Sequence, residues 1–210
     1  MELKNKITTL FLDIGGVLLT KGWGHESRYL AAANFQLDIP DMEARHKILF
    51  DTYELGKISL DEYLDRSIFY QPRSFSKAEF KEFMFAQSVG FPDMIDLMIR
   101  LKKQYGLRIA VVSNEGKELN LFRIKKFNLA GFVDYFVSSS IVGMRKPDPG
   151  IFRLALDLAQ AAPETVLYFD DEPMFVSIAE SLGINAIHQI SYADTCRQLE
   201  GFGLKTETRG

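Results

Sequence analysis

One cysteine, Cys196, and one tryptophan, Trp23, are all that 210 residues contain of either type. A lone thiol cannot close an intramolecular disulfide, and no cluster of metal-ligating spacing surrounds it. A disulfide scaffold and a cysteine-held metal are therefore excluded, and a reducing compartment is implied. Basic charge is not in excess either: 25 Lys and Arg against 28 Asp and Glu leave a formal net charge of −3. Nothing in that balance favours binding to a phosphate backbone, so no nucleic-acid partner is expected. No apolar run reaches the roughly 20 residues that a membrane-crossing helix needs. The stretch 7–19 is apolar enough for a signal-peptide core, yet Asp13 interrupts it and no small-residue cleavage site follows. By elimination a cytoplasmic location without a membrane partner is expected. Internal repeats and low-complexity tracts are also missing, and only residues 205–210 read as a frayed tail.

What is present is organised around Thr9-Leu10-Phe11-Leu12-Asp13-Ile14-Gly15-Gly16. It is an apolar run of buried-strand character that ends in a carboxylate followed by glycines. A charged Asp in such a place is costly unless it is used, and the C-terminal ends of parallel strands are where open α/β sheets place ligands. Two readings stand for it: a nucleophile held beside a metal, or a strand-terminating turn. From 20 to about 90 the texture is helical, with segments expected at 26–34, 40–55, 59–70 and 76–88. Pro40, Gly56 and Pro72 punctuate them, and Ser59-Leu60-Asp61-Glu62 reads as a capping box. After Pro92, helices at 92–105, 117–127, 148–160 and 174–182 alternate with strands at 107–112, 133–137, 165–169 and 185–190. That alternation implies right-handed crossovers and a doubly wound parallel α/β sheet covered on both faces.

A polar signal follows each of four apolar runs. Asp13 follows the first, Ser113-Asn114 follows Val111-Val112, Lys146 stands in Arg145-Lys146-Pro147-Asp148-Pro149, and Asp170-Asp171 follows Leu167-Tyr168-Phe169. Brought to one sheet edge, they offer an attacking carboxylate, a hydroxyl with backbone amides for an oxyanion, an ammonium, and an acid pair able to hold a hard cation. That inventory suits phosphoryl transfer through an aspartyl-phosphate, where positioning and charge neutralisation carry most of the catalysis. Mg²⁺, which favours oxygen ligands and few carboxylates, fits it as cofactor. Simpler roles exist for two of these signals. Ser113-Asn114 caps the next helix equally well, a role compatible with anion binding, and Asp170-Asp171 is also a turn before Pro173.

Phe11-Leu12-Asp13-Ile14-Gly15-Gly16-Val17-Leu18, Val111-Val112-Ser113-Asn114, Arg145-Lys146-Pro147-Asp148-Pro149-Gly150 and Tyr168-Phe169-Asp170-Asp171 resemble, in order, the four motifs of the haloacid dehalogenase (HAD) superfamily. The resemblance implies a Rossmann-like core over 1–20 and 90–210, with a helical cap inserted at 21–89. It implies Asp13 as nucleophile and metal ligand, the Gly15 carbonyl as a second ligand, and Asp170 and Asp171 completing the Mg²⁺ shell. Ser113 and Asn114 would bind phosphate, and Lys146 would steady phosphate and nucleophile together. The substrate would be a small phosphorylated metabolite. Family phosphatases usually place a second aspartate two positions after the nucleophile as acid and base, and here that position is Gly15. General acid–base help is worth about 10²- to 10⁴-fold. Glycine at this place is shared with sugar-1-phosphate phosphatase types, which suggests a sugar phosphate. A 2-haloacid dehalogenase working through the same aspartate, or a weakened phosphate-binding regulator, are the alternatives.

In the cap, Gly22-Trp23-Gly24-His25 draws notice. Trp23 either touches substrate or packs domains together. His25 either replaces the missing acid or is solvated. His46 reads as a solvated face, His188 as structural, and Arg145 has no assigned role. Glu115 either orients substrate or faces solvent.

Overall fold

The computed structural model describes residues 6–205; residues 206–210 of the expected tail lie outside the described residues. Strand β1 (Thr9–Leu12) is followed by five helices, α1 (His25–Phe35), α2 (Ile39–Glu54), α3 (Leu60–Ser67), α4 (Lys77–Ala86) and α5 (Pro92–Tyr105). The chain then alternates through β2 (Arg108–Ser113), α6 (Lys117–Lys126), β3 (Tyr135–Ser138), α7 (Ser139–Val142), α8 (Gly150–Ala159), β4 (Val166–Asp170), α9 (Pro173–Ser181), β5 (Asn185–His188) and α10 (Tyr192–Gly201). All strands are parallel in the order β3-β2-β1-β4-β5, so the direction of winding reverses between β1 and β4. A crevice opens at such a switch point.

Both faces of the sheet are apolar because both are covered, and the two-residue strand period sorts side chains between them. Leu10, Leu12, Ile109, Val111, Leu167 and Phe169 meet Leu97, Met98 and Leu101 of α5 and Leu199 of α10. Phe11, Ala110, Val112 and Tyr168 meet Ile151, Phe152 and Ala155 of α8 and Ala179 of α9. Helix α10 goes beyond the expected elements; its stretch is mostly polar, and its one local signal is Ser191, whose side chain accepts from the Asp194 amide as an N-cap. Among the described residues no helix is long and apolar enough to cross a membrane.

Helices α1 to α4 build a core of their own from Trp23, Met42, Tyr53, Tyr63, Leu64, Phe80 and Met84, joined by Leu119 of α6. Ser59 with Glu62 and Ser76 with Glu79 form reciprocal capping boxes that start α3 and α4. His46 belongs to this core rather than to a solvated face: it is 8% exposed, and its Nδ1 lies 2.8 Å from the Tyr63 hydroxyl. The charges flanking it in Arg45-His46-Lys47 masked the fact that His46 shares a helical face with Met42, four residues earlier.

Two connecting segments lead from the sheet to these helices and back, side by side. Thr20 N donates to Val89 O at 2.8 Å and Phe91 N to Leu18 O at 2.8 Å. Arg123 of α6 pins both. Its Nε donates to Ser88 Oγ at 3.0 Å, its Nη2 to the Thr20 carbonyl at 3.2 Å, and its Nη1 to the carboxylate of Glu115. Gly22 leaves room for this guanidinium, since a Cβ there would sit 1.6 Å from Arg123 Nη2.

Burial, followed by the charge of Arg28, depresses His46 to about 4, below the usual histidine value near 6.5. Between those values the unfolded chain binds a proton that the folded chain does not. His46 therefore withdraws stability as pH falls below about 6.5 and has no effect above it. In urea unfolding at pH 7 and pH 5, His46→Gln is expected to shrink the acid-induced loss by about 2 kcal/mol; an unchanged loss contradicts the burial of a neutral imidazole.

Candidate active site

Strand register sets the site. Leu12 pairs with Phe169 across the β1–β4 ladder, so the next residues, Asp13 and Asp170, leave the sheet side by side. On the other flank Leu12 pairs with Val111, which brings Ser113 to the same rim. The Asp13 amide donates to Phe169 O at 3.0 Å, extending the ladder one residue. The Ser113 hydroxyl accepts from the Ile14 amide at 3.4 Å.

Lys146 reaches this rim from the loop before α8. Its position is fixed by a reciprocal pair: Lys146 N donates to Asn114 Oδ1 and Asn114 Nδ2 donates to the Lys146 carbonyl, each at 2.8 Å. The ammonium is 1% exposed and donates to Asp13 Oδ1 at 2.9 Å, Asp170 Oδ2 at 2.6 Å and the Tyr168 hydroxyl at 3.0 Å. Burial works against its charge, yet the two carboxylates outweigh burial and hold its pKa above the ordinary lysine value. Burial, with the neighbouring Asp170, pushes Asp13 up to about 6 against the pull of Lys146 and Ser113. Tyr168, whose hydroxyl donates to Asp170, is driven well above the usual tyrosine range by burial and that carboxylate, and remains a neutral donor.

Asp13, Asp170 and Asp171 each offer a carboxylate oxygen within 4.8 Å of the others. This is an oxygen-only set of a spacing that a single hard divalent cation spans. Gly16 admits Asp171 to the cluster: its φ is +84°, and a Cβ there would stand 2.3 Å from Asp171 Cγ. The His188 imidazole, read as structural, meets the Asp171 carbonyl at 3.1 Å. The cluster opens into a cleft of about 420 Å³ whose walls include Gly15, Lys21, Asn114, Glu172 and Phe175.

Every station expected from the sequence is thus at this rim except Trp23. That residue is 2% exposed, donates its indole N–H to the Tyr63 hydroxyl at 3.0 Å and packs edge-on to Phe80. It fills the core of α1 to α4 and does not line the cleft, because the left-handed Gly22 turns the chain inward there. His25 is exposed and its ring lies tilted against Tyr29, also away from the cleft walls. Glu115 does not face solvent. It is 4% exposed and paired with Arg123, and burial pushes it up to about 7 despite that partner. Arg145 bridges to α2, at 2.7 Å from Glu54 and 2.8 Å from Asp51. Sequence reasoning missed Arg123 and Tyr168. The hydroxyl in Tyr168-Phe169-Asp170-Asp171 was the available signal for Tyr168, whereas Arg123 sits among exposed basic residues of α6.

A family model for haloacid dehalogenase-like hydrolases matches residues 7–183. The chain belongs to that family of hydrolases. It is 31% identical over 134 residues to bifunctional epoxide hydrolase 2 of Mus musculus, covering 61% of this chain and 24% of that protein. It therefore spans about a quarter of the length of that relative. It is 25% identical over 157 residues to a phosphorylated carbohydrates phosphatase of Thermotoga maritima, covering 75% of this chain and 67% of the relative. The fold matches, at a TM-score of 0.74 and 20% identity, a HAD family enzyme of Bacteroides thetaiotaomicron solved with magnesium and inorganic phosphate, covering 90% and 98% of the two chains.

Lys146→Met leaves two buried carboxylates without their cation. In chelator-containing buffer this should cost about 3–5 kcal/mol in urea unfolding, and adding Asp170→Asn should recover part of it. A stability equal to that of the natural protein would contradict the ion cluster.

Proposed function

We propose that this chain is a Mg²⁺-dependent phosphomonoesterase that works through an aspartyl-phosphate on Asp13 and acts on a small phosphorylated metabolite. One observation carries the reading: a single buried ammonium, Lys146, bonds both Asp13 and Asp170 beside a three-carboxylate cluster. That arrangement combines a nucleophile, a cation site and a charge balance within one cleft. It supports phosphoryl transfer over a carbon–halogen hydrolase using the same aspartate, which has no use for the acid pair. A sugar phosphate is favoured as substrate by the likeness to the Thermotoga maritima phosphatase. The lone Cys196 suits a cytoplasmic setting.

In the proposed reaction one Asp13 oxygen attacks phosphorus and the P–O bond to the leaving group breaks with its electron pair. The Ser113 hydroxyl and the Asn114 amide grip the phosphoryl oxygens, and Lys146 offsets charge at the nucleophile. Water then cleaves the acyl phosphate, which frees inorganic phosphate and restores Asp13. Asp13, Asp170, Asp171 and the Gly15 carbonyl would hold Mg²⁺, which when bound would supply further neutralisation of phosphoryl charge. Residues 21–89 act as a cap over the core formed by the two flanking segments. The Arg145 contacts to Glu54 and Asp51 would hold α2 against the loop that carries Lys146.

p-Nitrophenyl phosphate tests this reading, because its leaving group needs little protonation. Mg²⁺-dependent turnover that Asp13→Asn abolishes is the expected result. Turnover that survives chelation or that substitution would contradict it, and phosphate binding without turnover would favour a regulatory protein. Gly15→Asp is expected to raise the rate on sugar phosphates about 10²-fold by restoring an acid and base. A Cβ at Gly15 meets only ordinary contacts, the nearest being Lys21 Cα at 3.5 Å, so the substitution fits. An unchanged rate would show that proton transfer at the leaving oxygen does not limit turnover.

A further inference from the structure

Position 15 has no side chain, yet the space it faces is bordered by charge. The nearest atom to a Cβ built on Gly15 is Lys21 Cα, at 3.5 Å, so Lys21 springs from the place that an acid at position 15 would face. Only two cations, Lys21 and Lys146, line the cleft among the described residues. Lys146 is fully used, since its three N–H groups go to Asp13, Asp170 and Tyr168. Lys21 has one ion-pair partner, Asp171 Oδ2 at 2.7 Å, and its side chain is 60% exposed. It is the cation of the cleft with donors to spare. Asp171 and Glu172 leave that side of the cleft acidic apart from Lys21.

Resting on the phosphomonoesterase reading, we propose that Lys21 is a catalytic residue whose ammonium hydrogen-bonds the leaving-group oxygen of the substrate, in place of the acid absent at Gly15. As the Asp13 oxygen bonds to phosphorus, the P–O bond to the leaving group breaks and its electron pair stays on the departing oxygen. The Lys21 N–H holds that oxygen, which collects its proton from solvent water. Charge stabilisation of this kind matters more as the leaving oxygen becomes more basic.

Phenyl phosphate and p-nitrophenyl phosphate are matched in shape and differ in leaving-group basicity. In Lys21→Met the kcat/KM ratio of p-nitrophenyl to phenyl phosphate should widen by at least about tenfold over that of the unsubstituted protein. Lys21→Arg should narrow it again. A merely structural role would lower both substrates together, so an unchanged ratio in Lys21→Met overturns the proposal, as does failure of arginine to narrow it. Absence of Mg²⁺-dependent hydrolysis of both esters by the unsubstituted protein would instead overturn the phosphomonoesterase reading, and this inference with it.

Discussion

One ammonium group inside a crowd of carboxylates is the constraint on which the rest of the molecule turns. Lys146 is buried at the sheet edge with Asp13 and Asp170 as partners, and burying any one of these ions alone would cost far more than it returns. Each is tolerable only because the others are in place. The loop carrying Lys146 must therefore be held to the β2 loop, and the amide pair between Asn114 and Lys146 does this. Tyr168, pointing from β4 between the two charges, supplies a hydroxyl that accepts from Lys146 and donates to Asp170.

Parallel pairing turns that local balance into a site. A side-by-side register delivers Asp13 and Asp170 together at the switch point of the sheet, without any contact between the segments in sequence. The helices inserted after β1 keep an apolar core that Leu119 of α6 joins, and polar contacts add to their attachment to the sheet. Arg123 clasps both connecting segments and Glu115, while Arg145 reaches Glu54 and Asp51 on α2.

Legibility in the sequence followed the range of the physical signal. Period-two apolar runs, capping residues and the Gly/Pro punctuation are local, so the alternating core and the helices before Pro92 could be placed to within a few residues. Asp13, Ser113, Asn114, Asp170 and Asp171 were legible because each ends or follows an apolar run where a polar group is out of place, and Lys146 was legible by its place in Arg145-Lys146-Pro147-Asp148-Pro149. Features that depend on distant partners were not. His46 looked solvated because its neighbours are charged, although Tyr63 lies across from it in α3. Trp23 suggested substrate contact because it stands alone between glycines, while its indole partner is 40 residues away. The Glu115–Arg123 pair joins a loop to a helix that reads as an ordinary basic surface. Helix α10 has few apolar residues, so its stretch did not stand out from the polar sequence around it.

In the proposed reaction the carboxylate compensated by Lys146 takes the phosphoryl group. Quenching turnover with borohydride reduces an acyl phosphate to the alcohol, and peptide mass mapping then locates the changed residue. Homoserine at position 13, formed only when a phosphoester and Mg²⁺ are both present, is the predicted result. Continued turnover with Asp13 recovered unmodified, or with the label on another side chain, would contradict it.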